Sequence, residues 1–124
     1  MYTLAIKREF VARHFLFGGD WGPENELHSH RYQVEVQLTG PVLDRHGFLV
    51  DLVALEAVLT DLVAYFRDQI LNELPEFVEL NPSIEHLARI LCQEVKSRIK
   101  APLKAVTVKV WEDDLAWTAY REER

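Results

Sequence analysis

Two long stretches in which apolar and polar residues alternate constrain the fold of this chain more than any other feature. The first runs from Tyr2 to Leu16 and the second from Ser29 to Thr39. A period of two places the apolar residues on one face of a β-strand, so each stretch predicts a strand with one buried face. The segment between them, beginning at Gly18, is dense in turn-forming residues and predicts a loop to about Leu27. The first third of the chain therefore predicts two neighbouring strands joined by a long loop.

The middle of the chain has the spacing of two amphipathic helices. Apolar residues recur every three or four positions from Leu52 to Ile70, after a candidate N-cap at Asp51. This pattern predicts a long helix that ends at Pro75. A second stripe runs from Ile84 to Ile99, and Ser83 stands at the position of its N-cap.

Two further alternating segments complete the chain. They run from Lys104 to Glu112 and from Leu115 to Arg121, with a turn at Asp113-Asp114 between them. The order β-β-α-α-β-β predicts an α+β domain with a four-stranded antiparallel sheet and two helices on one face. The other face of the sheet is then left to solvent or to another subunit.

Composition narrows the class of protein. A chain of 124 residues matches one domain spanning residues 1–124, and no apolar run approaches the ~20 residues of a membrane-spanning helix. Its 20 acidic and 14 basic residues give a net charge of −6, the opposite of the balance typical of nucleic-acid-binding domains. The N-terminus lacks the pattern of a signal peptide, and the single cysteine, Cys92, cannot form an internal disulfide. We therefore expect a cytoplasmic protein with no membrane or nucleic-acid partner.

Three of the five histidines, His14, His28 and His30, lie in a stretch of 17 residues. Residues two apart on a strand point the same way, so His28 and His30 share a face. His14 is predicted beside them, at the end of the neighbouring strand. Three neutral imidazoles suit Zn²⁺ and leave a fourth ligand position open for water or substrate. The spacing by itself leaves open both a metal site and histidines that are merely packed.

Six short motifs spread over nearly the whole chain resemble those of one known family. In chain order they are F-V-A-R-H at 10–14, H-S-H-R-Y at 28–32, G-F-L-V-D-L at 47–52, L-N at 71–72, P-S-I-E at 82–85 and V-W-E at 110–112. Each motif alone is weak, but the ordered combination is specific. It resembles the 6-pyruvoyl-tetrahydropterin synthase and 6-carboxy-tetrahydropterin synthase family.

The resemblance implies a tunnelling fold (T-fold), in which ββααββ subunits form trimeric barrels that stack as a homohexamer with active sites between subunits. It implies that His14, His28 and His30 bind Zn²⁺. It also implies that Glu112 anchors a pterin ring by accepting two parallel hydrogen bonds from it.

The resemblance also implies a lyase reaction on 7,8-dihydroneopterin triphosphate or a close relative. The product would carry a 6-pyruvoyl, a 6-carboxy or a 6-hydroxymethyl group, the second used for queuosine and the third for folate. Ser83 and Glu85, from the P-S-I-E motif, are the further residues expected to bind the substrate.

One departure from the family pattern falls on the catalytic base. Most members carry a cysteine four residues before the first histidine of H-x-H, and this chain has Glu24 there. In having a glutamate at this position, the chain resembles a branch of the family that makes the 6-hydroxymethyl product. Glu26 is a second candidate if the loop alignment shifts. Cys92 is no substitute, because it lies on the apolar side of the second predicted helix.

The second departure concerns the family's Asp-His pair, whose positions are occupied by Arg67 and Asp68. An aspartate with a reference pKa of ~3.9 is a poor substitute for histidine near neutral pH unless burial raises its pKa. His86 is the other histidine expected close by, so Asp68 and His86 are both candidate catalytic residues. Three functions therefore stay open: a zinc-dependent pterin lyase that uses Glu24, a related zinc pterin enzyme with an altered substrate such as dihydroneopterin, and a homologue that binds zinc and pterin without turnover.

Overall fold

The computed structural model describes residues 1–124 and confirms the predicted order of strands and helices. The strands are β1 (Tyr2–His14), β2 (His28–Gly40), β3 (Ala105–Trp111) and β4 (Trp117–Glu123), and the helices are α1 (Leu52–Phe66) and α2 (Ile84–Arg98). The strands form one antiparallel sheet in the order β1-β2-β3-β4. Helix α1 packs on β1 and α2 packs on β3 and β4, so the domain has two layers.

Alternation along the strands decides which face of the sheet is buried. Tyr32, Val34 and Val36 of β2 are fully buried, as are the valines of β3 at positions 106, 108 and 110. Both helices cover this face. Their apolar stripes pack against the apolar side chains of the sheet, which removes both apolar surfaces from water. The opposite face, which carries Lys7 and Lys109, has no helix over it.

Both predicted N-caps are present. The Asp51 carboxylate accepts a hydrogen bond from the backbone N–H of Val53 at 3.0 Å. The Ser83 hydroxyl accepts one from the N–H of His86 at 3.1 Å. Each cap satisfies a backbone donor that has no partner within its own helix, which explains why the helices begin where they do.

The prediction that the first helix runs to Pro75 is wrong, because α1 ends at Phe66. Asp68 adopts a left-handed conformation, with φ of 62°, and its backbone N–H donates to the Val11 carbonyl at 2.7 Å. A second backbone hydrogen bond and an isolated parallel bridge follow along the same edge of β1. Pairing with the open edge of β1 therefore outweighs the helical periodicity, which continues to Ile70.

The turn before β4 is also longer than predicted. The Asp113 carboxylate accepts hydrogen bonds from the backbone N–H groups of Leu115 and Ala116, at 2.8 and 2.9 Å. These bonds form a turn, so β4 begins at Trp117 rather than at Leu115.

Neither 15-residue helix has the length and apolarity that crossing a membrane requires.

Two leucines of α1 provide a matched test of the buried face. Leu59 is fully buried and Leu52 is 41% exposed. We expect Leu59→Ala to lower the free energy of unfolding by about 2–5 kcal/mol, because it leaves a cavity in the core. Leu52→Ala should change it by less than about 0.5 kcal/mol, as is usual at exposed positions. Urea unfolding with an unchanged m-value measures both, and equal losses would contradict this assignment of faces.

Cys92 is expected to be unreactive in the folded protein. It is fully buried on α2, and its thiol donates to the Val106 carbonyl with an Sγ–O distance of 3.4 Å. Burial raises the pKa of this thiol to about 11, from a usual value near 9.0, which lowers the thiolate fraction about 100-fold. Titration with a disulfide reagent at pH 8 should therefore be slow in buffer and immediate in denaturant. Rapid labelling of the folded protein would contradict the buried placement.

Candidate metal centre and active site

Five side chains converge at one end of the sheet: His14, Glu24, His28, His30 and Glu112. Each offers one ligand atom, and these five atoms lie within 4.8 Å of one another. The register of β1 and β2 places His14 directly opposite His28, while Glu112 follows the last residue of β3. The strand ends thus bring together residues that are far apart in sequence.

Backbone carbonyls set the orientation of two of the imidazoles. The Nδ1 atom of His14 lies 2.8 Å from the Pro82 carbonyl oxygen, and Nδ1 of His28 lies 2.7 Å from the Glu26 carbonyl oxygen. A carbonyl oxygen only accepts hydrogen bonds, so each Nδ1 donates its proton, and in the neutral ring the available lone pair is then on Nε2. Such outer hydrogen bonds are typical of metal-binding histidines.

His14 shows most clearly that the cluster suits a metal ion. Its Nε2 atom is buried and has no hydrogen-bond partner. Burial is also the main cause that lowers the pKa of this imidazole, which favours the neutral ring. A buried nitrogen lone pair without a partner is costly, and a metal ion would supply the missing interaction.

The remaining contacts bring further electron-pair donors together. Nε2 of His28 lies 3.0 Å from Nε2 of His30 and 2.8 Å from a carboxylate oxygen of Glu24. A carboxylate oxygen of Glu112 lies 2.8 Å from Nε2 of His30. Ligands bound to a four-coordinate ion at ~2.0–2.1 Å stand about 3.3 Å apart, close to these spacings. Shared protons or a cation must offset the repulsion between the donors, and the cluster could therefore hold a metal ion.

Glu112 is partly buried beside the histidines. Burial raises the pKa of its carboxyl group, and the neighbouring His30 opposes that shift. The carboxylate also lines a polar cleft of about 300 Å³ together with Ser29, Gln33 and Asp113. Its inward direction agrees with the alternation of β3, and its expected contact with a pterin stays a prediction.

Glu24 reaches the cluster through a short turn of 3₁₀ helix at Gly22–Asn25. Its side chain is 44% exposed, so the carboxylate is open to a ligand as well as close to His28. The side chain of Glu26 lies outside the cluster, and this residue contributes only its carbonyl oxygen. Of the two acidic loop residues, the structure thus brings Glu24 to the histidines.

Asp68 and His86, the two substitutes considered for the family's Asp-His pair, lie outside the five-residue cluster. Asp68 is exposed in its left-handed turn and lies beside Glu9 and Arg31 in a separate cleft. His86 lies in the first turn of α2, and its Nδ1 atom is 3.3 Å from the guanidinium of Arg89. Within one chain, neither residue contacts the histidines, and their catalytic roles stay predictions.

The P-S-I-E motif contributes to the site in an unexpected way. The Ser83 hydroxyl caps α2, and the Glu85 side chain is exposed. Their predicted contacts with substrate stay predictions, but the same segment supplies the Pro82 carbonyl that orients His14.

Tyr32 is a residue near the site that the sequence did not single out. Its hydroxyl is 3.3 Å from Nδ1 of His14, and burial raises the pKa of that hydroxyl. The H-S-H-R-Y motif included this tyrosine, but its buried parity indicated only a core residue.

Comparisons with known proteins agree with this arrangement. The model of the 6-pyruvoyl tetrahydropterin synthase family matches residues 3–123. A protein of Archaeoglobus fulgidus, provisionally named a 6-carboxy-5,6,7,8-tetrahydropterin synthase, is 26% identical over 118 residues, which are 95% of this chain and 94% of that protein.

Solved structures show the same fold. The 6-pyruvoyl tetrahydropterin synthase of Caenorhabditis elegans superposes with a TM-score of 0.84 at 24% identity, covering 98% of this chain and 96% of its own. A Plasmodium vivax 6-pyruvoyltetrahydropterin synthase, described as a variant in which a catalytic glutamate is replaced by alanine, superposes with a TM-score of 0.74 at 17% identity. The coverage there is 99% of this chain and 98% of the other.

Three findings agree: the motifs occur in the family's order, the chain has the T-fold, and the family model matches residues 3–123. The chain therefore belongs to the 6-pyruvoyl tetrahydropterin synthase family and is a tetrahydropterin synthase-like enzyme.

Proposed function

We propose that this protein is a zinc-dependent pterin lyase that acts on 7,8-dihydroneopterin triphosphate or a close relative. The observation that carries the proposal is the convergence of three imidazoles with the Glu24 carboxylate, 2.8 Å from His28. This arrangement combines a metal site with a potential base. The membership of the family supports the pterin class of substrate.

His14, His28 and His30 would hold Zn²⁺ through their Nε2 atoms. When bound, zinc supplies a Lewis acid that makes hydroxyl groups of the substrate side chain more acidic. The carbonyls of Pro82 and Glu26 keep two of the rings in the tautomer that this role requires. Three protein ligands leave a fourth position for the substrate, as in other catalytic zinc sites.

Glu24 would take the proton that leaves the substrate side chain. Its carboxylate lies 2.8 Å from His28 and 4.0 Å from His30, next to where that side chain would bind. A base must come within hydrogen-bonding distance of the proton it removes, and the partial exposure of Glu24 allows such an approach. The Plasmodium vivax relative is described with a catalytic glutamate, which supports the participation of a glutamate in catalysis on this fold.

Glu112 would bind the pterin ring. A carboxylate can accept two parallel hydrogen bonds from the 2-amino group and the ring N3–H of a pterin. Glu112 lines the polar cleft next to the histidines, so a ring held there would have its side chain directed at them.

We propose a cytoplasmic homohexamer, and the helix-free face and the edge strands of the sheet support this assembly. Strand β4 pairs on one side only, and the outer edge of β1 is paired only near Val11 and Arg13, so both strands retain unpaired backbone groups that could join strands of neighbouring subunits. Trimeric barrels that stack in pairs would satisfy these edges and cover the open face. The active sites would then lie between subunits.

A homologue that binds zinc and pterin without turnover is the second candidate. It is favoured by the position of Asp68 and His86, because neither side chain lies at the cluster. Within one chain, no histidine beyond the three candidate ligands then lies close to Glu24 to act as an acid or base.

Incubation of the zinc-loaded protein with 7,8-dihydroneopterin triphosphate, with separation of the products, distinguishes the two candidates. We expect turnover, and the position-6 group of the product identifies the reaction. Glu24→Gln should lower kcat by about 10²–10⁴-fold, because the amide cannot accept the proton. Glu26→Gln is the matched control and should leave kcat unchanged.

Metal analysis of the same samples should give one zinc per chain, also in Glu24→Gln. Less than about one equivalent per three chains would contradict both candidates, since each requires the three-histidine site to be filled. Zinc without any product would favour the homologue without turnover. An unchanged rate in Glu24→Gln would remove Glu24 from the mechanism.

Glu112→Gln tests the pterin contact. We expect the Kd for 7,8-dihydroneopterin to rise about 10–100-fold, because an amide cannot accept both hydrogen bonds from the ring. Glu56→Gln, the same substitution at an exposed position of α1 away from this cleft, is the control and should leave the Kd within twofold. Calorimetric titration of the zinc-loaded variants measures both, and equal Kd values for Glu112→Gln and the unmodified protein would refute the anchoring role.

A further inference from the structure

We propose that Asn25 is a positioning residue that holds Glu24 against the histidine cluster. This proposal rests on the proposed function only in taking Glu24 as the base. The placement of Glu24 beside His28 is itself a feature of the structure.

The amide of Asn25 joins the two arms of the loop between β1 and β2. Its Oδ1 accepts a hydrogen bond from the backbone N–H of Trp21 at 2.7 Å. Its Nδ2 donates to the carbonyls of Leu16 and Gly19, at 3.1 and 2.9 Å. The backbone N–H of Leu16 in turn donates to the Glu24 carbonyl at 2.9 Å. The backbone of Glu24 is thus fastened to the start of the loop from two sides.

The start of the loop is itself held in place by two other asparagines. Asn72 both donates to the Phe15 carbonyl and accepts from the Phe15 N–H, at 2.9 and 3.0 Å. Asn81 makes the same pair of bonds with Phe17, at 3.0 and 2.9 Å. These bonds imitate strand pairing and tie the loop to the segments before α2. Asn25 therefore connects Glu24 to a part of the loop that cannot shift independently of the segments before α2.

Hydrogen bonds rather than apolar packing fix this loop. The turn at Gly22–Asn25 contains no buried residue, and Trp21 is 47% exposed. With little burial to hold the turn, loss of the Asn25 bonds would let Glu24 move relative to His28. A misplacement of about 1 Å can cost about 10²-fold in rate, so a role in positioning predicts a large effect from a residue that touches no substrate.

Two substitutions of Asn25 separate positioning from charge. Asn25→Asp keeps the size of the side chain and the acceptor for Trp21, but it replaces both N–H donors by an oxygen that faces the carbonyls of Leu16 and Gly19. Asn25→Ala removes all three bonds without adding charge. Asp20→Asn is the control. The Asp20 carboxylate accepts a hydrogen bond from the Gly22 N–H at 3.0 Å, and the oxygen of an asparagine amide can accept the same bond. The loop adds no residue to the core, so these variants should fold.

The experiment combines kinetics with NMR of zinc-loaded protein carrying ¹⁵N-labelled histidine rings. Glu24→Gln first defines the change in the His28 ring signals that follows loss of the carboxylate. We expect both Asn25 variants to reproduce that change while the His14 signals stay in place. With 7,8-dihydroneopterin triphosphate, kcat should fall about 10²-fold while KM and zinc content stay within twofold. Asp20→Asn should match the unmodified protein in every measurement.

The outcomes distinguish this proposal from the proposed function. His28 signals and a kcat equal to those of the unmodified protein in both Asn25 variants would overturn the positioning role. A lower Tm with unchanged signals and kcat would also overturn it, because Asn25 would then only stabilise the loop. If the unmodified protein shows no turnover but the Asn25 variants reproduce the Glu24→Gln signals, the positioning role stands and the proposed reaction fails.

Discussion

The antiparallel register between β1 and β2 is the constraint on which the candidate site depends. It pairs all 13 residues of each strand and sets His14 directly opposite His28. A shift by one residue would turn every side chain of a strand to the other face, which would expose the core residues and separate the histidines. The burial of Tyr32 and its neighbours therefore stabilises the fold and the arrangement of the metal-site candidates together.

Around this framework, the site depends on backbone groups as much as on its own side chains. The carbonyls of Pro82 and Glu26 orient two imidazoles, and the unpaired Nε2 of His14 completes a set of donors that suits a cation. Glu24 is different, because it lies on a loop without buried residues and is placed by the hydrogen bonds of Asn25. Candidate ligands on the sheet beside a base that a hydrogen-bonded loop holds in place are consistent with a site in which one group must move a proton.

Much of the fold was predictable because the relevant interactions are local. Alternation identified the buried faces of the strands, and the caps Asp51 and Ser83 identified the helix starts. The end of α1 was not predictable in this way. Its apolar spacing continues to Ile70, but backbone pairing with β1 takes over at Asp68, a contact between segments far apart in the chain.

The sequence by itself determined the order of elements, the family and the shared face of His28 and His30, since periodicity and ordered motifs are properties of neighbouring residues. Only the tertiary structure decided which acidic residue of the loop meets the histidines and that Asp68 lies apart from them. It also revealed the bond between His14 and Pro82, two residues 68 positions apart. Such contacts arise when the sheet and helices pack, and no local pattern encodes a hydrogen bond between a side chain and a distant backbone carbonyl.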